Sequence, residues 1–178
     1  MNVPQYSAAM ACAGFCSRIR SPLRLLLGFS FLLLLVLDGC AKYSPPPTGT
    51  ASGRQICDTA RSNLGVRYKT GGTLPSTGFD CSGLIQWTFA QYGIPVPRTT
   101  REQAKTGLDV AKKNLRPGDL VVFKISGRNN LHTGIYTGNG KFIHSPGTGK
   151  RVREEALDSK YWKSRFLTAR RMPQIKER

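Results

Sequence analysis

Apolar side chains in the first half of the folded region recur at steps of three and four residues, the spacing of an amphipathic helix. This spacing predicts a helix over 55–64 that stops at Gly65, because glycine readily adopts the left-handed conformation that follows a helix. A second helix starts at Cys81, and its continuous apolar face predicts that it is buried. A short helix over 99–106 follows, and its first residues have the spacing of a capping box.

The second half of the chain changes to the alternating pattern of strands. Helices followed by an antiparallel sheet are the order of an α+β fold, in which we expect the helix that starts at Cys81 to pack on the sheet. The intervening segment 66–78 is rich in glycine and is predicted to be a loop, and no internal repeat or second domain is found. The predicted strands cover 119–125, 131–137, 141–145 and 165–170.

An uncharged run of 13 residues, 25–37, follows three arginines near the N-terminus. A membrane-spanning helix needs about 20 apolar residues, so this run fits the core of a signal peptide better than a membrane span. We therefore predict a signal peptide over 1–39. An ordinary cleaved signal and an uncleaved anchor remain the alternatives, and Met10 is an alternative start.

The end of that run, Leu37-Asp38-Gly39-Cys40, resembles a bacterial lipoprotein processing site, although Asp38 departs from the usual pattern. By this resemblance Cys40 is the lipidated first residue of the mature chain. Ala41 after it resembles the signal for the outer membrane, with the protein facing the periplasm. The proline-rich segment 40–53 is predicted to be a flexible tether, and 54–178 the folded domain.

The chain is strongly basic, with 27 Lys and Arg against 10 Asp and Glu, a net charge of +17. Loss of residues 1–39 would remove only three arginines and Asp38, so the mature chain stays basic. Such a charge attracts anionic membranes and wall polymers, or simply solvates the surface. Because the chain is predicted to be exported, we expect no nucleic-acid partner, and we expect a monomer.

Cys81 is the candidate nucleophile because it follows Asp80, a good helix cap, and because the chain has two histidines downstream. A helix N-terminus and a neighbouring imidazolium both lower the pKa of a thiol, so we expect a reactive thiolate here. Cys57 shares an apolar helical stripe with Leu64 and is predicted to be a buried free thiol. A disulfide between Cys57 and Cys81 would prevent Cys81 from acting as a nucleophile, so we predict that both thiols are free.

His132 and His144 lie on consecutive predicted strands. A two-residue turn at Asn139-Gly140 would pair Ile135 with His144 and place the histidines on opposite faces of the sheet. A three-residue turn would pair Gly134 with His144 and place both histidines on one face. We predict the three-residue turn if both histidines serve one site.

These residues together resemble the NlpC/P60 family of cell-wall cysteine peptidases, whose papain-like core carries a nucleophilic cysteine on a helix that packs on an antiparallel sheet. The resemblance extends over about 54–172. The matching segments are Tyr68, Phe79-Asp80-Cys81-Ser82-Gly83-Leu84, Pro97-Arg98-Thr99-Thr100, Leu115 to Phe123, His132-Thr133-Gly134-Ile135-Tyr136 and Phe142-Ile143-His144.

The resemblance implies that Cys81 is the nucleophile, His132 the general base and His144 the residue that orients His132. Tyr68 matches an active-site tyrosine near the oxyanion. Asp80 and Ser82 match positions that line the substrate cleft, where a carboxylate can receive a peptide amine; as a helix cap, however, Asp80 needs no such role.

The implied function is hydrolysis of peptidoglycan stem peptides, at the bond between D-glutamate and meso-diaminopimelate or between D-alanine and diaminopimelate. An N-acetylmuramoyl-L-alanine amidase, an acyltransferase of the same superfamily and a non-catalytic envelope lipoprotein are the alternatives. We expect no cofactor and no metal site, because the chain lacks the spaced cysteine and histidine pairs that bind zinc.

Overall fold

The computed structural model describes residues 49–126 and 130–176. The predicted signal peptide, Cys40 and most of the predicted tether lie outside these residues. Four helices are described: α1 Gly53–Arg61, α2 Cys81–Ala90, α3 Thr100–Gln103 and α4 Lys160–Lys163, with a 3₁₀ turn at Lys112–Asn114. The strands are β1 Ala51–Ser52, β2 Thr73–Leu74, β3 Gly78–Phe79, β4 Leu108–Asp109, β5 Leu120–Ser126, β6 Asn130–Gly138, β7 Lys141–His144, β8 Arg153–Ala156, β9 Phe166–Arg171 and β10 Ile175–Lys176.

The main sheet has six strands in the order β4-β9-β5-β6-β7-β8. All of its pairings are antiparallel, and the two large helices precede it in the chain. The predicted α+β architecture is therefore confirmed. The four predicted strands correspond to β5, β6, β7 and β9, each within one residue of its expected ends.

Apolar side chains cover both faces of this sheet. Helices α1 and α2 pack on one face; the other carries an aromatic cluster that includes Phe123, Phe142 and Trp162. Burying a large side chain contributes about 1.5–3 kcal/mol, so the two layers fix the sheet firmly. The helix-side layer includes Ile56, Leu84, Ile85, Phe89, Leu120, Ile135 and Ile143.

Helix α1 begins earlier than predicted, because Ser52 and Gln55 form a complete capping box. It also ends earlier, at Arg61, and a turn leads to Gly65, whose φ of +85° agrees with the predicted helix stop. As a result Leu64 is 46% exposed, and its predicted membership of the buried stripe was wrong. Cys57 is buried and free, as predicted.

The two ends of the described chain pair with each other. Ala51 lies opposite Ile175 and Ser52 opposite Lys176 in a short parallel pair, β1 with β10. Ala51 is buried, so the folded domain includes 51–53, which the sequence analysis had placed in the tether. Within the described residues, no helix is long and apolar enough to cross a membrane.

Several short elements were not predicted. The segment 66–78, expected to be a loop, contains strand β2 and leads into its hairpin partner β3. Strands β4 and β8 form the two edges of the main sheet, and β8 is rich in charged residues. Edge strands of this kind lack the alternating pattern of a half-buried strand, which explains why the sequence does not reveal them.

Candidate active site

Cys81 occupies the first position of α2, directly after its cap Asp80. The Asp80 carboxylate accepts a hydrogen bond from the backbone N–H of Gly83 at 2.7 Å, as the sequence predicted. The thiol lies within 3.6 Å of the hydroxyl oxygen of Thr100, at the start of α3. The sequence motif that contains Thr100 does not by itself predict this contact.

Asp80 is also held by an arginine that the sequence analysis did not single out. Arg98 donates to both carboxylate oxygens, at 3.0 and 2.6 Å, and to the hydroxyl of Ser82 at 2.9 Å. The backbone N–H of Gly71 donates to Asp80 as well. The carboxylate and Ser82 therefore form one hydrogen-bonded cluster beneath the nucleophile, and a substrate contact by either residue stays a prediction.

The two histidines lie side by side in the interior. Nε2 of His132 and Nδ1 of His144 are 2.7 Å apart, and the side chains are 3% and 0% exposed. One nitrogen must donate and the other accept. This contact uses Nε2 of His132 and leaves its Nδ1 as the ring nitrogen that can accept a proton.

The hairpin between β6 and β7 brings the two histidines together with a turn that differs from the predicted one. The turn is a two-residue Asn139-Gly140 turn, with Gly138 paired to Lys141, so the predicted three-residue turn was wrong. The register shifts by one residue between Tyr136 and Gly138, which makes Thr137 a β-bulge.

Beyond this bulge the pairing follows the predicted register. Ile135 pairs with Ile143, and continuing this register places His144 opposite Gly134. His132 and His144 therefore share a face as diagonal neighbours, as predicted. A side chain at Gly134 would strike the Phe142 ring, at 2.6 Å from the added carbon, so glycine permits the close packing beside the histidines.

The nucleophile meets the sheet beside β6. The backbone N–H of Thr133, the residue after His132, points to the thiol and lowers its pKa, as does the backbone N–H of Ser82. Strand β7 ends at His144, which leaves this part of β6 open to α2. The thiol and the imidazole of His132 are not directly hydrogen bonded in this structure; such contacts often tighten only when substrate binds.

Burial dominates the protonation of the site. It raises the pKa of Cys81, and the hydrogen bond with Thr100 only partly offsets it. Burial also lowers the pKa of both His132 and His144 to about 3. Burial therefore acts against the predicted resting thiolate and favours a neutral thiol and neutral imidazoles in the free site, because the desolvation of charge outweighs the helix N-terminus.

Trp162 and Glu155 complete the surroundings of the histidines. The Trp162 ring stacks on His132, with ring centres 5.4 Å apart and planes at 26°, and meets His144 edge-on. Its indole N–H donates to Glu155, whose other oxygen lies 3.7 Å from Nε2 of His144. Neither residue was identified from the sequence, since each comes from a short element that had no clear pattern.

Tyr68 forms an isolated parallel bridge with Phe79, which lies two residues before Cys81 in the chain. Its side chain is half-buried, and its hydroxyl makes no hydrogen bond with the described residues. Two open grooves border the site. One, of about 470 Å³, includes Thr100; the other, of about 490 Å³, includes Glu155 and Trp162.

Cys57 provides a contrast to Cys81. Its thiol donates to the carbonyl oxygen of Tyr136 at 3.3 Å, and burial raises its pKa to about 11, so it is inert. Cys57 and Cys81 are both free. Among the described residues, no group of histidine, cysteine or carboxylate side chains is arranged to hold a metal ion.

A cysteine at the start of a buried helix, beside a strand that carries one of two hydrogen-bonded histidines, defines the class of papain-like cysteine hydrolases. The family model of the NlpC/P60 family matches residues 65–171. The chain belongs to this family, as the sequence motifs had indicated.

Sequence relatives agree with this assignment. The chain is 39% identical over 146 residues to a probable endopeptidase NlpC of Escherichia coli K12, covering 78% of this chain and 94% of the relative. It is 45% identical over 119 residues to the E. coli K12 murein DD-endopeptidase MepS/murein LD-carboxypeptidase, covering 66% of this chain and 62% of that protein.

The fold matches solved structures as well. An NlpC/P60 family protein from Bacillus cereus superimposes with a TM-score of 0.67 at 32% identity, covering 72% of this chain and 42% of the other. Several relatives are therefore longer than the matched region, whereas the E. coli NlpC is matched over nearly its whole length.

Proposed function

We propose that this protein is a peptidoglycan hydrolase, a cysteine endopeptidase that cleaves the stem peptides of the bacterial cell wall. The observation that carries the proposal is the buried pair of His132 and His144, whose ring nitrogens are 2.7 Å apart; His132 lies on β6 next to Thr133, whose backbone N–H points to the Cys81 thiol. The names of the E. coli relatives support this choice: one is a probable endopeptidase, and the other is a murein DD-endopeptidase, which supports the substrate.

The first half of the reaction forms an acyl-enzyme. As the Cys81 sulfur attacks the scissile carbonyl, its proton passes to Nδ1 of His132, and His144 steadies the imidazolium through Nε2. The carbon–nitrogen bond then breaks, and the leaving amine takes the proton from His132. In the second half, His132 activates a water that hydrolyses the thioester and returns the thiol.

The backbone amides at the start of α2 are the candidate oxyanion hole. The N–H of Gly83 is used by the Asp80 cap, whereas those of Cys81 and Ser82 form no hydrogen bond within the α2 ladder, as expected for the first residues of a helix. The hydroxyl of Tyr68 is proposed to be a further hydrogen-bond donor to the oxyanion. Asp80 is proposed to receive a substrate amine only where Arg98 leaves a lone pair free.

The experiment that tests the proposal is digestion of defined muropeptides, with product masses read by mass spectrometry. Cys81→Ala should abolish cleavage, while Cys57→Ala, a matched change at a buried and inert thiol, should leave it intact. The product masses identify the bond: D-glutamate to diaminopimelate, D-alanine to diaminopimelate, or the amide at muramic acid. Full muropeptide release by Cys81→Ala would refute an enzymatic role for this cysteine.

We also propose that Cys40 carries a lipid that tethers the enzyme to the envelope, on the outer membrane facing the periplasm. The support is the apolar run 25–37 that ends at a glycine and a cysteine, together with the basic surface, which favours an anionic membrane or wall. Labelling with radioactive palmitate should mark the wild type and not Cys40→Ala. An unlabelled wild-type chain would contradict the tether.

A further inference from the structure

The Nε2 atom of His144 has no hydrogen-bond partner among the described residues, although it is fully buried. Unpaired polar atoms in protein interiors are costly and uncommon, so each one needs a physical explanation. The nearest opposite charge is the Glu155 carboxylate on β8, whose Oε1 lies 3.7 Å from this Nε2. This distance is too long for a hydrogen bond but short enough for a strong electrostatic preference.

The role proposed for His132 constrains the protons of both rings. To accept a proton at Nδ1, neutral His132 must carry its own hydrogen on Nε2 and donate it to His144. Nδ1 of His144 must therefore be the acceptor, and its hydrogen must lie on Nε2. That hydrogen points toward Glu155, so a negative charge there favours the tautomer that catalysis needs.

Glu155 is held in place from two sides. The indole N–H of Trp162 donates to one carboxylate oxygen, and the guanidinium of Arg153 contacts the other. These two contacts fix the orientation of the carboxylate. Trp162 also stacks on His132, which links the position of Glu155 to the orientation of the base.

The charged groups that face the histidines come from few elements. Glu155 and Arg153 reach them from β8, and Trp162 covers them from α4 without a charge. Arg153 lowers the pKa of His144, whereas Glu155 raises the pKa of His132. Among the residues that affect His132, Glu155 supplies the one effect that favours its protonated form.

We propose that Glu155 is a positioning residue of the active site, which fixes His144 in the Nε2–H tautomer and so keeps its Nδ1 free to accept from His132. The catalytic role of this tautomer rests on the proposed function. The tautomer itself does not, because it can be measured in the protein without substrate. Glu155 touches neither the nucleophile nor the scissile bond, and acts through His144.

The tautomer can be measured without any substrate. The chain has only two histidines, so nitrogen-15 spectra of histidine-labelled protein give assignable ring signals. At neutral pH both rings should be neutral with the hydrogen on Nε2, and in Glu155→Leu the Nδ1–H form of His144 should appear. A wild-type His144 with its hydrogen on Nδ1, or identical spectra in the variant, would overturn the proposal.

Kinetics provide the second readout, with Glu154→Gln as the matched control. Glu154 lies next to Glu155 on β8, but its carboxylate accepts a hydrogen bond from the hydroxyl of Thr137 at 2.8 Å and does not face the histidines. Glu155→Gln should lower kcat about 10- to 100-fold with little change in KM, in line with the loss of an orienting partner. Glu155→Asp should restore part of the loss.

The pH profile separates positioning from simple structural support. Because Glu155 raises the pKa of His132, Glu155→Gln should move the acid limb of kcat/KM to lower pH, while Glu154→Gln leaves it unchanged. Equal profiles for the two variants would refute the role. If wild type cleaves no muropeptide, the proposed function fails, yet the nitrogen-15 spectra still decide the tautomer.

Discussion

Mild acid should destabilise this protein through its buried histidine pair. Burial lowers the pKa of both rings from 6.5 to about 3, so the unfolded chain binds more protons than the folded chain between these values. The stability contributed by the neutral rings is complete above pH 6.5 and is lost as the pH falls toward 3. Between pH 7 and 5.5 the loss is about 1.2 kcal/mol for each histidine.

The two histidines together therefore cost about 2.5 kcal/mol over this interval, a large part of the 5–15 kcal/mol that holds a typical domain folded. Urea unfolding followed by tryptophan fluorescence measures the free energy of unfolding at each pH. His144→Gln, which removes one titrating ring, should show about half the loss. Since the chain has no other histidine, few other groups titrate in this range.

The result that would refute this reasoning is a free energy of unfolding that stays level between pH 7 and 5.5. An equal slope for His144→Gln and wild type would also contradict it, because the loss would then arise elsewhere. Either outcome would mean that the histidines accept protons in the folded state. The neutral resting site inferred from their burial would then be wrong.

Other predictions follow from single contacts. Arg98→Gln should lower the free energy of unfolding by about 1–3 kcal/mol in thermal or urea unfolding, more than the exposed Arg101→Gln, because it removes the charged partner of a largely buried carboxylate. Deletion of Thr137 should retain muropeptide cleavage, because the pairs on both sides of the bulge keep their register. Iodoacetamide should modify Cys81, which is partly exposed, much faster than the buried Cys57 in the folded protein, as peptide mass mapping would show.

The sequence predicted those parts of the site that depend on local chemistry. The cap Asp80 and the first helical position of Cys81 follow from neighbouring residues alone, and both agree with the structure. The shared face of the histidines was also predicted, but through the wrong turn. Asn139-Gly140 forms the tight turn its residues favour, and the bulge, which has no sequence signal of its own, restores the register.

The parts that escaped prediction depend on contacts between distant segments. Arg98 reaches Asp80 from a loop, and Glu155 faces His144 from a charged edge strand. Neither position carries a periodic pattern, and no local rule identifies its partner. The thiolate was predicted from the helix N-terminus, but the cost of burial depends on how deeply the site is covered, which only the fold reveals.

The pairing of β1 with β10 bears on how such a domain can be combined with others. The described chain enters and leaves the fold at one place, where Ala51 and Ile175 are neighbours. A module fused to either end would emerge from the same point, so rearranging modules from one end to the other need not disturb the sheet or the nucleophile helix. Because its two ends are neighbours, the catalytic domain can be joined to other domains at either end, in proteins of very different length.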